Sequence, residues 1–329
     1  MPPTEVTLAT WFDDHRAVLW GLSYRITGST ADADDVVQET FLKAHRHAPS
    51  ELAEPRRWLM RVAVNAARDL LRRRKRRSYI GPWLPTPLET SDEDVPPSFE
   101  PIVEGRTLEG RYDLMESASL AFLQALEALT PTQRAVLLLC DVFDYAAAEV
   151  ATVLDTSEGN VRTIHHRARR VMESYEGRRT VPTRANRERT ERALQQFLAL
   201  LNARDVSGIE RMLAADVRTV TDANGEFTAL FDPLVGRLQV ARFFGQFGTT
   251  KQRGRVDVTI RQINGLPTAD LEVASPVGRR PPRLLLSIDL NTEGEIANVW
   301  VIASSSKLAT VPSRTKAFGG RPADPPFGL

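Results

Sequence analysis

Residues 129–172 read LTPTQRAVLLLCDVFDYAAAEVATVLDTSEGNVRTIHHRARRVM, and no other stretch of the chain restricts the fold as sharply. Thr130 precedes Pro131, and Gln133 follows at capping-box spacing. Such a start satisfies the orphan amides of a first helical turn, where the missing N–H of proline costs nothing. YAAAEVATVL predicts a short second helix, DTSEGN a turn, and Ser157 the cap of a third helix. On that third helix Val161, Ile164, Ala168 and Val171 fall at core spacing. Asn160, Thr163, Arg167 and Arg170 share another face, with Arg162 and His166 beside it. A two-helix unit whose second helix is loaded in this way suits a DNA major groove, with its N-terminal half reaching the bases. The plain alternative is a helical hairpin with a solvated face. His165 and His166 do not make a metal site, because neighbouring positions diverge and no cysteine or carboxylate completes a ligand set. We expect no metal and no other cofactor.

A second basic element lies upstream, in PRRWLMRVAVNAARDLLRRRKRR. From Trp58 onward, Trp58, Val62, Ala66 and Leu70 share one helical face. Arg61, Asn65, Arg68 and Arg72 line another, and Asp69 is the only acid between Pro55 and Arg77. Runs of charge are usually solvated faces, but those mix signs. A nearly all-cationic face with an amide in its middle favours nucleic acid, since arginine forks onto phosphate and Asn65 can read or hold a base. The helix before it, GSTADADDVVQETFLKAHRH, is acidic. Its first-turn acids suit the helix dipole. Asp35, Gln38, Glu39 and Leu42 continue along one face beyond that turn. An acidic stripe with an apolar member is a candidate interface for a basic protein partner.

The formal net charge of +1 means that any nucleic-acid surface must be local. The chain of 329 residues is long enough for two or three domains. Its single cysteine, Cys140, lies in AVLLLCDVF and reads as a buried small hydrophobe in a reducing cytosol. No apolar run approaches the roughly 18 residues of a membrane span, and the N-terminus lacks a secretion signal. A cytoplasmic protein without a membrane partner is expected.

The expected layout is a helical unit over 5–78, a linker over 79–112, a second helical unit over 113–176, an α+β domain over 188–305 and a loose tail over 306–329. In the α+β domain, period-2 runs at Val256–Ile260, Leu284–Leu290 and Ile296–Ile302 predict strands. ANGE and NTEGE supply turns, and VGRLQVARFFGQF predicts a helix between strands. The linker joins the densest positive charge, Arg72 to Arg77, to an apolar island, GPWLPTP, stiffened by proline. Ile80, Trp83 and Leu84 are side chains that a free linker would expose at a cost, so docking is expected.

Taken in order, the acidic DADDVVQETFLKA helix, PRRWLMRVAVNAARDLLR, a linker and LTPTQRAVLLL…SEGNVRTIHHRARR resemble the extracytoplasmic-function sigma factors of bacterial RNA polymerase over residues 8–175. The resemblance implies two all-α sigma domains. It implies that Asp35, Gln38, Glu39 and Leu42 dock on the clamp region of the largest polymerase subunits. Trp58, Arg61, Asn65, Arg68 and Arg72, with residues 47–57, would melt and hold the −10 element. Asn160, Arg162, Thr163, His166, Arg167 and Arg170 would belong to the reader of the −35 element. His165 departs from the family, which has an apolar residue there, and leaves the rotation of the helix open.

SYIGPWLPTPLE further resembles the linker of the subgroup ending in a SnoaL-like domain, a cone-shaped α+β fold of the nuclear-transport-factor-2 type. TDANGEF, FDPLVGRLQVARFF and IASSSKLAT echo it, with Ser304–Ser306 replacing the usual polar-Pro turn. This implies control in cis, the C-terminal domain standing in place of an anti-sigma protein and gripping Ile80, Trp83 and Leu84. Some SnoaL-like folds are enzymes with an acid in an apolar cone. Asp222 is the nearest such acid here, and no acid–base partner is evident beside it, so no enzyme is expected. A non-catalytic ligand pocket at Asp222 and Trp300 remains a candidate. The alternative is a one-component DNA-binding regulator with a sensing domain, which has no use for the acidic and Trp58 helices.

Overall fold

The computed structural model describes residues 3–49, 52, 54–74, 79–90, 116–177, 183–246, 256–274, 276 and 278–313. Most of the linker after Thr90, the end of the basic run after Arg74 and the tail from 314 lie outside the described residues.

Three helices open the chain: α1 (Glu5–Thr27), α2 (Thr30–His47) and α3 (Pro55–Arg74). Thr4 caps α1 and Ser29 caps α2, accepting from the backbone N–H of Thr7 and Asp32. Between them Gly28 takes φ +67°, and a Cβ there would lie 2.5 Å from the Trp83 ring. Only glycine satisfies both the left-handed turn and that approach. The face of α3 differs from its sequence reading. Leu59, Met60, Ala63, Val64, Ala66, Ala67 and Leu71 are buried, whereas Trp58, Val62 and Leu70 are half-buried at the margin. The reason is that α3 is covered on two sides, by α1 and α2 and by the second helical unit, which widens and turns its buried stripe.

That unit comprises α4 (Leu120–Ala125), α5 (Pro131–Asp141), α6 (Ala147–Leu154) and α7 (Glu158–Glu176). The capping box expected at the start of α5 is present, Thr130 and Gln133 each accepting the other's backbone N–H at 3.3 and 2.9 Å. Both helical units share one apolar core. Two buried arginines staple them together. Arg25 donates to Ser117 Oγ at 2.7 Å, and Arg134 donates to Ile26 O and Leu126 O, both at 2.8 Å.

The C-terminal part is α+β: α8 (Arg184–Ala203), α9 (Val206–Met212), β1 (Leu213–Asp222), β2 (Leu234–Val235), α10 (Arg237–Gly245), β3 (Val256–Ile263), β4 (Leu266–Val273), β5 (Arg283–Leu290), β6 (Ile296–Ile302) and α11 (Ser305–Leu308). The strands form one sheet in the order β2-β1-β6-β5-β4-β3, with β1 and β6 parallel and the other pairs antiparallel. Helices α8 to α10 cover one face through Leu194, Phe197, Val240 and Phe244 against Leu286, Ile288 and Val299. The opposite face is buried too. Val220, Leu285, Trp300 and Ile302 pack with Leu84 of the linker, Leu120 of α4 and Leu308 and Val311 beyond the sheet. The apolar residues of β5 are therefore nearly continuous, as a strand covered on both sides requires.

The segment from 306 was expected to be loose, and residues 306–313 correct that expectation. Lys307, Leu308 and Val311 are buried, Thr310 Oγ1 donates to Pro87 O at 2.9 Å, and Arg283 donates to Val311 O at 2.7 Å. Val171, assigned to the core of α7 by its spacing, is 39% exposed, and Met172 takes that place.

Candidate nucleic-acid interface and the junction behind it

Ser157 caps α7 and accepts from Asn160 N at 3.2 Å, which starts the helix within the DTSEGN turn. Val161, Ala168 and Met172 face the core with Ile164 half-buried beside them. On the opposite side Asn160, Arg162, Thr163, His166, Arg167 and Arg170 are all exposed. The helix rotation left open by His165 is set by Asp141 at the end of α5. His165 Nε2 lies 2.9 Å from Asp141 Oδ2. Arg169 forks onto the same carboxylate at 2.5 and 3.0 Å. Burial alone would raise the Asp141 carboxyl, but the contacts of His165 and Arg169 outweigh it and hold it below its usual range. Tying positions 165 and 169 inward turns 162, 163, 166, 167 and 170 outward. Cys140, next in the chain, is half-buried, and burial pushes its thiol up to about 12, so it is no nucleophile.

On α2, Asp35, Gln38 and Leu42 are exposed and Glu39, half-buried, pairs with Lys43 at 2.7 Å. The next turn inward is fixed by Phe41, edge-on to Phe12 with ring centroids 4.9 Å apart. The four expected docking residues thus form one continuous face.

The third expected set is on one helix, with Arg61 and Arg72 exposed and Trp58, Asn65 and Arg68 half-buried. Arg61 pairs with Asp155, in the turn before α7, at 3.2 Å. Arg68 donates to Asn65 Oδ1 at 3.1 Å and to Thr132 Oγ1 of α5 at 2.9 Å. Arg72 pairs with Asp69 at 3.0 Å. Of these groups, Arg61 and Arg68 are engaged by the second helical unit, while Arg61 and Arg72 remain exposed.

Behind both helical units runs the linker, pinned from Tyr79 to Thr90. Asp222, at the end of β1, is fully buried and accepts from Tyr79 OH at 2.6 Å, Leu84 N at 2.7 Å and Lys307 Nζ at 2.5 Å. Lys307 also donates to Leu84 O, and its ammonium lies 4.4 Å from the centre of the Trp83 ring. A buried charge of either sign requires such a partner. Asp222 is thus a structural clasp, with its oxygens closed off by protein donors, which corrects its candidacy as an acid open to a ligand. Leu84 is buried and Trp83 largely covered, whereas Ile80 is 54% exposed and merely rests on Gly225, so of the expected docking residues it anchors least.

Sequence reasoning missed the other half of this junction. Asn264 and Gly265 form the two-residue turn between β3 and β4, both at positive φ. Asn-Gly is the characteristic signal for that turn, and INGLP carries it. Asn264 is fully buried. Its Nδ2 donates to Tyr24 OH of α1 and to Ala118 O, both at 2.7 Å, and its Oδ1 accepts from Leu88 N at 3.0 Å. One side chain therefore joins the sheet, the linker and both helical units. Arg261 adds a charged tie, to Glu89 at 2.6 Å and to Asp270 at 3.0 Å. Trp300 donates from Nε1 to Asp289 Oδ2 at 2.5 Å on the wall of a cavity of about 930 Å³. Among the described residues no cluster of ligating side chains could hold a metal ion, and no helix is long and apolar enough to cross a membrane.

Comparison with known proteins agrees with this division. Residues 11–77 match the Sigma-70 region 2 family and residues 119–172 the Sigma-70, region 4 family. The chain is 29% identical to the ECF RNA polymerase sigma factor SigJ of Mycobacterium tuberculosis, covering 93% of this chain and 94% of that one. It is 32% identical to the sigma factor SigL of the same species, over 49% of this chain and 84% of the relative. Among solved structures, the crystal structure of the Mycobacterium tuberculosis extracytoplasmic function sigma factor SigJ matches with a TM-score of 0.67 at 27% identity, over 94% of this chain and 99% of that chain.

Proposed function

The chain belongs to the extracytoplasmic-function sigma factors of RNA polymerase, and on that premise we propose how its own residues divide the work and how its C-terminal domain restrains it. As a member of that family it is a promoter-specific initiation factor and not an enzyme, working where the polymerase works, in the cytoplasm. In our reading the exposed face Asp35–Gln38–Glu39–Leu42 docks on the basic clamp region of the polymerase core. Asn160, Arg162, Thr163, His166, Arg167 and Arg170 enter the major groove at the −35 element, the two forward arginines reaching base edges and the later one phosphate. Trp58, Arg61, Asn65, Arg68 and Arg72 hold the melted −10 strand once the second helical unit has moved away.

The observation that carries this reading is the asymmetry between the two DNA faces. The −35 face of α7 is open, while two arginines of the −10 face of α3, Arg61 and Arg68, are tied to Asp155 and Thr132 of the second helical unit. The protein is then closed as it stands, and the α+β domain keeps it so by gripping the linker at Asp222, Lys307 and Asn264. This domain takes the place of a separate anti-sigma protein. Core polymerase, binding the open form better, shifts the population by that difference in affinity.

In-vitro transcription with core polymerase tests it. Trp83→Ala together with Leu84→Ala removes the buried pins of the linker and should raise transcription from a cognate promoter several-fold above the parent chain. Transcription equal to or below the parent, with the variant still folded by circular dichroism, would leave the C-terminal domain without a restraining role.

A further inference from the structure

The sheet face under the linker is not filled by side chains throughout. The cavity of about 930 Å³ lies between β1, β5 and β6 on one side and α4, α7 and the linker on the other. That is the size of a site for a drug-sized molecule, and domain interfaces are where such sites concentrate. Its walls are aromatic at four points, Trp83, Tyr175, Trp300 and Phe231, and Phe231 at the rim is 76% exposed.

Inside the rim, the charged group on the wall is Asp289. Asp289 accepts from Trp300 Nε1 and from the Asn298 side chain, and a carboxylate offers roughly four lone-pair positions, so it can accept more. Burial pushes its carboxyl up to about 6, so it is ionised at neutral pH but poorly compensated. Gln124 contributes a buried Oε1 with no hydrogen-bond partner among the described residues. The Tyr175 hydroxyl is committed to Glu116 Oε1 at 2.9 Å. Arg218 and Asp232, both exposed at the rim, oppose each other in charge. Beside the hydroxyls of Ser174 and Thr190 and the Asn298 amide, the interior therefore presents acceptors, a negative charge and aromatic faces.

We propose that this cavity binds an organic amine with an aromatic or alicyclic body, its ammonium paired with Asp289 against Trp300 and its apolar body lodged between α7 and the sheet. Aromatic walls attract ammonium groups through the ring quadrupole, and a carboxylate supplies the charge that a hydroxylated or acidic ligand could not use. Such a molecule touches α7, the linker and the sheet at once. It binds only while these are together, so it favours the closed form and restrains the −35 helix. The inference rests on the closed arrangement proposed above.

The test is calorimetric titration of the full chain with 2-(1-naphthyl)ethylamine, with 2-(1-naphthyl)ethanol and with 3-(1-naphthyl)propanoate, alongside small-angle scattering of the same samples. The amine should bind with a Kd of about 1 mM or tighter, and at least about tenfold tighter than the alcohol or the carboxylate. Asp289→Asn should abolish that preference. Val171→Trp, which fills the cavity from an exposed position on α7, should abolish binding, while Val171→Ala retains it. A compact protein that ignores the amine, prefers the carboxylate, or binds the amine unchanged in Val171→Trp overturns the cavity proposal alone. An expanded protein that binds nothing overturns the closed arrangement beneath it as well.

Discussion

At the scale of single residues, two charged groups, one buried and one half-buried, give opposite predictions. Lys307 is the counter-charge of Asp222, and removing one partner of a buried pair costs about 3–5 kcal/mol because the other charge remains in the interior. Lys307→Met should therefore destabilise the chain by that order, and restoring neutrality with Asp222→Asn in the same chain should recover part of it. Urea titration of the three variants measures both, and a single variant as stable as the parent would mean that the clasp holds nothing. Asp289 behaves in reverse. Its folded pKa of about 6 lies above the unfolded value of about 3.9, so the folded state gains protons relative to the unfolded one between these values. Its contribution is thus least unfavourable below about pH 4 and becomes a cost as pH rises through about 6. Asp289→Asn should stabilise the protein at pH 8 by up to about 3 kcal/mol, with the gain vanishing near pH 4. A gain that is constant across that range would contradict the assignment. Neither role was legible beforehand. Asp222 stood out as the nearest candidate for an acid in an apolar cone, but its partners Tyr79, Leu84 and Lys307 are far away in the chain. No periodicity connects such positions, and Asn264, which joins α1 to β3, is hidden for the same reason.

Elements were far more legible, because caps and periodicity are local. Thr130 and Ser157 each start a helix where the sequence placed one, and the Arg237–Gly245 helix lies between strands as expected. The errors fall where an element is covered twice. The stripe on α3 turned because a second unit lies on it, and β5 carries Leu285 toward the linker as well as Leu286 toward the helices. Two predictions belong to helix faces. Arg167→Ala on α7 should weaken promoter binding by about 1–3 kcal/mol without changing affinity for core polymerase, measured by fluorescence anisotropy on a −35 duplex. Unchanged promoter affinity would remove α7 from the account. On α2, Asp35→Lys with Glu39→Lys reverses the sign of the exposed face and should abolish association with core while the helix content stays the same. Retention of core in a pull-down would make that face a solvated surface only.

For the whole molecule the decisive matter is how three parts act as one. Arg25, Arg134, Arg61 and Arg68 tie the helical units to each other, and the α+β domain holds the linker that joins them. On the proposed function, spanning two promoter elements requires these ties to break, and the free energy of polymerase binding then exceeds the cost of opening. The sequence pointed to a docked linker through its apolar island, but the packing of the second helical unit against α3 had no local signature. The measurement that tests this most directly is the distance between spin labels at Asp13→Cys on α1 and Glu173→Cys on α7, in a Cys140→Ser background, with and without core polymerase. The free protein should give one short, narrow distance, with a radius of gyration near the roughly 20 Å of a compact chain of this length, and core polymerase should replace it with a longer one. A free protein that already shows the long distance, or a short distance that survives binding to core, would contradict the account.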